Sequence, residues 1–282
     1  MGRRLRIEYY GAVYHIIQKG NNGEHVFKEE EDKINILEIL SETKEICDFK
    51  IFAYIVMDNH YHFLIQTLNI PISKIMHNIN FKYARYYNNK TNRTGSVFED
   101  RYTGILVQDE RYLLTIMKYI HSSPIAANIC NTMEEYKWSS DVFYRVNMEG
   151  MVDIEEVLKM FSPNRIEAIN QYIEFMEEEI DFKTMKHICE DNPIIGTEKF
   201  VKSIKGIDDK KRLSLDEILI KSCPTQEEYK LIKKGCRKRY LTEYKSKYIQ
   251  EGREQGYTFD EIGQNIGITG VAARSLTYIL TQ

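Results

Sequence analysis

The chain has 282 residues, 43% of them hydrophobic, and a formal net charge of −3. That length exceeds one small domain, the apolar content can fill real cores, and no low-complexity tract points to wholesale disorder. No stretch approaches the ~20 apolar residues that span a bilayer, and the five scattered cysteines form no Cys-x-x-Cys pair. A disulfide framework and a zinc knuckle are therefore not expected, and a soluble, cytoplasmic chain with no membrane partner is. The charge is unevenly placed: residues 149–191 carry 12 acidic and 4 basic side chains, whereas residues 221–250 carry 9 basic and 3 acidic. The basic block reads either as a polyanion surface or as a solvated helical face.

Residues 12–19 (AVYHIIQK) predict a strand, ended by the turn signal Gly20-Asn21-Asn22-Gly23. A helix follows over 29–47, with Ile34, Leu37, Ile39, Leu40 and Ile46 at helical spacing. A strand over 50–57, a tight turn at Asp58-Asn59 and a strand over 60–67 should pair as an antiparallel hairpin. Pro71 opens a helix over 72–88 with Ile72, Ile75, Ile79 and Tyr83 on one side, and Thr94-Gly95-Ser96 breaks it. A last strand falls in 103–108, and Asp109 can cap a helix from 110 to about 122, stopped by Pro124. The order β-α-β-β-α-β-α predicts an α+β, ferredoxin-like domain with one appended helix and the strand at 60–67 in a central position. Residues 136–147, with the single tryptophan Trp138, read as packing that closes this domain.

From about 150 the pattern turns to helices with acidic faces, such as 165–180, without strand-like runs. The expected division is a first domain over 1–147, an acidic helical connector over 148–207 and an all-α region over 208–282. Capping boxes stand at Ser214…Glu217, Thr225…Glu228 and Thr258…Glu261. After the last, Gly267 makes a turn and Thr269 starts a helix over 270–280, with Ile262, Ile266, Ile268, Val271 and Leu276 where two crossing helices would meet. This is a helix-turn-helix pattern with 270–280 as the recognition helix, although a structural helical hairpin has a similar signature.

The chemistry-bearing stretch is Asn59-His60-Tyr61-His62-Phe63-Leu64-Ile65. Alternation along a strand sends His60 and His62 to one face and Tyr61 and Phe63 to the other, and two neutral imidazoles side by side can make half of a divalent-metal site. Seven histidines placed at random give on the order of 0.2 such pairs, so the motif depends on its context. A metal there would polarise a phosphate oxygen, and something must then attack phosphorus. The appended helix offers Tyr112, Tyr119, His121 and Ser123, of which Tyr119 and Ser123 share a face one turn apart. His15, on the neighbouring strand, could join the site or be a hydrogen-bonded core residue.

The stretches YHIIQKGNN (14–22), AYIVMDNHYHFLI (53–65), GSVFEDRY (95–102), YLLTIMKYIHSSP (112–124) and YKWSS (136–140) together resemble the single-tyrosine HUH transposases, in particular the REP-associated tyrosine transposase branch. The resemblance implies that His60 and His62 bind Mg2+ or Mn2+ and that Tyr119 is the nucleophile. It also implies attack on single-stranded, hairpin-forming DNA, leaving a 5′-phosphotyrosyl link and a free 3′-hydroxyl. Two positions depart from the pattern: Asp58 stands where relatives often have proline, and Ser123, the third candidate metal ligand, stands where this branch usually shows asparagine. The C-terminal module is similar, more weakly, to the Trp-repressor-like type of replication-initiator helix-turn-helix and could contact duplex DNA. Candidate DNA contacts are Arg3, Arg4, Arg6 and Arg101, then Lys233, Lys234, Arg237, Lys238, Arg239 and Arg274.

Two other readings compete with a DNA-nicking and strand-rejoining enzyme. One is a catalytically silent, domesticated DNA-binding regulator that keeps the fold. The other is a metal hydrolase of small phosphoesters, which lacks a third strong ligand and leaves the basic helix unexplained. The expected assembly is a monomer or homodimer, since relatives outside this branch work as dimers and an appended domain could replace a second subunit.

Overall fold

The computed structural model describes residues 8, 9, 11–108, 110–209, 213–255, 257 and 259–277. Asp109, Thr258, Arg3, Arg4, Arg6 and the end of the expected helix over 270–280 lie outside the described residues. The chain divides into two compact units, residues 1–202 and 203–282.

The first unit runs β1 (Val13–Lys19), α1 (Glu30–Cys47), β2 (Phe49–Val56), β3 (His60–Thr67), α2 (Ile72–Thr91), β4 (Thr103–Val107), α3 (Glu110–Ala126), α4 (Asp141–Arg145), α5 (Ile154–Phe161), α6 (Arg165–Glu177), α7 (Phe182–Asp191), β5 (Ile194–Ile195) and into α8 (Glu198–Asp209). The sheet has the order β2-β3-β1-β4-β5. The first four strands are antiparallel and form the expected ferredoxin-like sheet, with β3 held between β2 and β1. β5, which the sequence pattern did not announce, adds in parallel beside β4. A two-residue strand carries too little alternation to be read from sequence.

Side chains of β3 separate as the pleat requires. Tyr61 stacks on Phe63, meets Phe27, which in turn packs on Tyr83 of α2, and donates to Asn80. On the opposite face α3 packs over β2 and β3. The register sets Ile17 opposite His62 and Lys19 opposite His60, so these four side chains share the face beneath α3. The turn after β1 needs its glycine: a Cβ on Gly20 would sit 2.2 Å from the Glu24 carbonyl oxygen. Asn22 beside it is left-handed at φ 50°, a conformation asparagine tolerates better than most residues. Asp58, the first departure from the family pattern, accepts the Lys33 ammonium at 2.7 Å.

Several expectations change in detail. On α1 the core residues are Ile36, Ile39 and Leu40, while Ile34 and Ile46 are exposed. The buried face rotates because Asp32 and Lys33 go inside with partners, Lys90 for the carboxylate and Asp58 for the ammonium. α2 keeps its expected face, burying Ile72, Ile75, Ile79 and Tyr83. α3 passes through Pro124 to Ala126; in the final turn the missing N–H forfeits only the bond to the carbonyl four residues back.

Residues 136–144 close the free edge of β2. The Val56 N–H donates to the Trp138 carbonyl at 3.0 Å and the Ser140 N–H to the Tyr54 carbonyl at 3.0 Å, while the Tyr144 hydroxyl donates to the Phe52 carbonyl at 2.7 Å. From here a buried relay reaches α6. Ser140 Oγ and His121 Nε2 are hydrogen-bonded at 2.8 Å. His121 Nδ1 faces the Tyr172 hydroxyl at 3.2 Å, and Tyr172 donates to Asp141 at 2.7 Å. Asp141 also holds Arg145. Serine, histidine and aspartate stand in series, but each is at most 1% exposed, so they brace the structure and meet no substrate.

The second unit contains α9 (Leu215–Ser222), α10 (Gln226–Lys233), α11 (Thr242–Glu254), α12 (Phe259–Asn265) and α13 (Gly270–Thr277). Its core is Ile218, Leu219, Ile232, Leu241, Tyr248, Ile249, Ile262, Ile266 and Ala273. The capping box at Ser214 and Glu217 forms, and Thr225 caps α10. Gly263 allows α12 to meet the following turn, since a Cβ there would lie 2.7 Å from the Ile268 carbonyl oxygen. Val271, expected at the helix crossing, is 77% exposed, and Ala273 fills that role instead.

Removing the Asp141 carboxylate should strip Arg145 and the Tyr172 hydroxyl of a buried partner. We expect Asp141→Ala to cost about 3 kcal/mol, measured as a lower urea midpoint, with α6 losing amide-exchange protection before the sheet does.

Candidate active site

Three aromatic side chains of the expected site meet on the α3-covered face of the sheet. His60 and His62 have ring centroids 5.0 Å apart, and the Tyr119 ring stands edge-on to His62 at 5.9 Å. β3 contributes the imidazoles by strand alternation, and α3 delivers Tyr119 from above. His15 of β1 completes the cluster, 6.1 Å from Tyr119 between centroids.

Hydrogen bonds set the tautomers. His15 Nδ1 lies 3.0 Å from the Cys189 carbonyl oxygen, which can only accept, so this nitrogen carries the proton. His15 Nε2, 2.9 Å from His62 Nδ1, must then accept, and His62 donates. On His60, Nδ1 donates to Asn59 Oδ1 at 2.7 Å. Both β3 imidazoles therefore keep their Nε2 lone pair, the form that ligates a metal, with the other nitrogen tied to an orienting partner. Burial lowers the pKa of His60 to about 4, helped by the Lys19 and Lys186 charges. Burial, then the neighbouring His60 and His15, holds His62 well below its ordinary value. The rings are neutral and ready to ligate at pH 7.

The donor set fits a divalent cation through these two nitrogens. Ser123, one turn beyond Tyr119, is buried and its hydroxyl donates to the Tyr119 carbonyl at 3.0 Å, the back-bond common to helical serines. Among the described residues no group of three or more His, Cys, Asp or Glu side chains could hold a metal.

Tyr119 is 1% exposed. Its hydroxyl donates to Glu190 Oε1 at 2.5 Å, and its ring stacks on Phe182 at 4.9 Å. Burial first, then the Glu190 hydrogen bond and charge, raise its pKa well above the ordinary phenol value, so the tyrosine rests protonated. Phe182, Lys186, Cys189 and Glu190 all belong to α7, and sequence reasoning assigned none of them to the site. Their contacts span some sixty to 174 residues of chain, with no motif to announce them.

Of the candidate DNA contacts, Arg101 is exposed in the loop before β4. Lys234, Arg237, Lys238 and Arg239 are exposed between α10 and α11, Arg274 is exposed on α13, and Lys233 pairs with Asp216 at 2.8 Å.

Residues 8–123 match the family described as Transposase IS200 like. Over that segment the chain is similar to IS200-like transposases. The structure of a REP-associated tyrosine transposase bound to a REP hairpin is similar at 14% identity and TM-score 0.44, over 55% of this chain and 90% of that one. A candidate transposase from Deinococcus radiodurans R1 is similar at 19% identity and TM-score 0.31, over 43% of this chain and 95% of that one. No curated protein matches the chain. His60, His62, Tyr119 and Ser123 all fall within the matched segment, whereas Glu190 and the rest of α7 lie outside it.

Buried histidines make the first unit sensitive to acid. Burial lowers His15 and His121 to about 4, against about 6.5 in an unfolded chain. Between those values the unfolded chain binds more protons, so stability is full above about pH 6.5 and is lost as pH falls toward 4. We expect urea midpoints to be flat above pH 7 and to fall steeply below 6, with the His15 and His121 ring resonances still neutral at pH 5 by NMR.

Proposed function

We propose that the chain is a transposase-type DNA endonuclease and strand transferase. It acts on single-stranded, hairpin-forming DNA through a covalent 5′-phosphotyrosine at Tyr119, with Mg2+ or Mn2+ held by His60 and His62. One observation carries this reading: Tyr119 stands against His62, which stands beside His60, and both imidazoles keep an Nε2 lone pair, within a segment similar to IS200-like transposases. A divalent cation bound there supplies polarisation of a phosphate oxygen. The chain's own residues do the rest. His15 and Asn59 hold the two imidazoles in their ligating tautomer, and Lys19 and Lys186 add positive charge beside them. By the family resemblance Ser123 would be the third ligand, once its hydroxyl leaves the Tyr119 carbonyl. The Tyr119 oxygen bonds to phosphorus as the bond to the 3′-oxygen breaks, and the phenolic proton ends on the departing 3′-hydroxyl. Rejoining reverses these steps without a nucleotide cofactor, because the phosphotyrosine conserves the bond energy.

In this reading chemistry belongs to residues 1–147, and residues 208–282 supply affinity, through Lys234, Arg237, Lys238, Arg239 and Arg274, for the same strand or for adjoining duplex. A DNA-binding regulator without catalysis is the second reading, favoured by the burial of Tyr119. A denaturing gel after incubation with a hairpin oligonucleotide and Mn2+ separates them: a covalent band supports the enzyme, and binding without that band supports the regulator.

Tyr119→Phe should abolish the covalent band while DNA affinity stays within a few-fold. His60→Ala or His62→Ala should cut Mn2+-dependent cleavage at least about 100-fold with the circular dichroism spectrum unchanged. Lys238→Ala and Arg239→Ala should each lower the slope of log affinity against log salt by about 1 without affecting cleavage at saturating DNA.

A further inference from the structure

A tyrosine that is to attack a DNA phosphate must be reachable by a strand, and Tyr119 is 1% exposed. What covers it is α7. Glu190 takes its hydroxyl proton in a hydrogen bond, Phe182 stacks on its ring, and the Cys189 carbonyl takes the His15 Nδ1 proton. These contacts occupy the tyrosine oxygen and one ring face together. Yet α7 is weakly seated, for Cys189 is its buried residue among ten. Elements with few buried apolar contacts open at low free-energy cost. Phe182 also borders a cavity of about 450 Å³ shared with Ile125, Met133, Met176 and Ile180, which leaves its ring room to swing away. The helix is anchored beyond both ends, by Tyr172 of α6 in the buried relay and by β5 on the sheet.

We infer that α7 is a strap that masks Tyr119 in the resting protein and must lift from the sheet face before the tyrosine can meet a phosphate. The inference rests on Tyr119 as nucleophile, and it adds a gate formed by residues outside the matched segment. The alternative use of the Glu190 bond, as proton acceptor during attack, requires the phosphate to reach the Tyr119 oxygen with α7 seated, and its burial leaves no such approach.

The test uses the full chain, a hairpin oligonucleotide, Mn2+ and two variants, Phe182→Ala and Glu190→Gln, the second nearly isosteric. Two readouts run in parallel: covalent-adduct rate, and alkylation of Cys189 by N-ethylmaleimide, resolved from the other cysteines by peptide mass spectrometry. Cys189 is fully buried under the seated strap, so its labelling reports lifting whether or not chemistry occurs. We expect both variants to speed labelling without DNA and to raise the adduct rate about tenfold, the size of one charge-assisted hydrogen bond. In the wild type, DNA should speed Cys189 labelling. If labelling rises but no protein forms an adduct, the strap stands and the strand-transfer reading fails. If the wild type forms adduct with Cys189 protected, and Glu190→Gln slows it, the strap is overturned and Glu190 acts in place as the proton acceptor.

Discussion

The hydrogen bond from His62 to His15 governs the chemistry available on the sheet. It exists because β1 and β3 are neighbours in a register that makes the two rings diagonal partners. It has a direction because His15 must give its own proton to a backbone carbonyl. A carbonyl cannot donate, so the polarity of the relay is imposed from its far end and runs out to the His62 Nε2 lone pair. Burial makes the relay stiff: a charged ring would be costly at either position, and neutrality leaves one proton per imidazole to be assigned. Asn59 does the same for His60 at the more open end of the strand. Two available imidazole lone pairs thus follow from a strand register, a carbonyl and an amide.

The opposite face of the same sheet is built to keep that register from slipping. The Tyr61, Phe63, Phe27 and Tyr83 rings fill it, and the buried tyrosine hydroxyls find partners, Asn80 for Tyr61 and the Val26 carbonyl for Tyr83. A one-residue shift of β3 would drive two imidazoles into this aromatic layer and two aromatic rings out of it. The Ser140-His121-Tyr172-Asp141 relay performs a matching task for α3. It binds the helix carrying Tyr119 to the β2 edge on one side and to α6 on the other. Tyr119 and the imidazoles are therefore held by separate networks.

Much of this was legible from residue patterns because alternation and helical spacing are local. The strand order, the hairpin around Asp58-Asn59, the buried face of α2 and the common face of His60 and His62 all follow from residues close in sequence. Failures arise where a distant partner changes the rules. Ile34 and Ile46 were read on the apolar side of α1, but Lys90 and Asp58 allow Asp32 and Lys33 inside, and Ile34 and Ile46 are exposed. Pro124 was read as a stop, yet a helix tolerates one lost bond in its final turn. Glu190 escaped notice because a lone glutamate on a charged helix has no signature until a hydroxyl 71 residues away is found donating to it. The Cys189 carbonyl could not be found at all, since backbone groups carry no residue-type signal.

The closed β2 edge of the sheet carries a consequence for assembly. Along β2 the outward backbone groups of Tyr54 and Val56 are spent on Ser140 and Trp138, and the Ile51 N–H on the Asp153 carboxylate. At the far side β5 presents a rim of only two residues. An intermolecular ladder needs a run of unspent donors and acceptors, and the β2 margin does not provide one. Among the described residues the β2 edge is therefore closed to strand addition by a second copy of this domain.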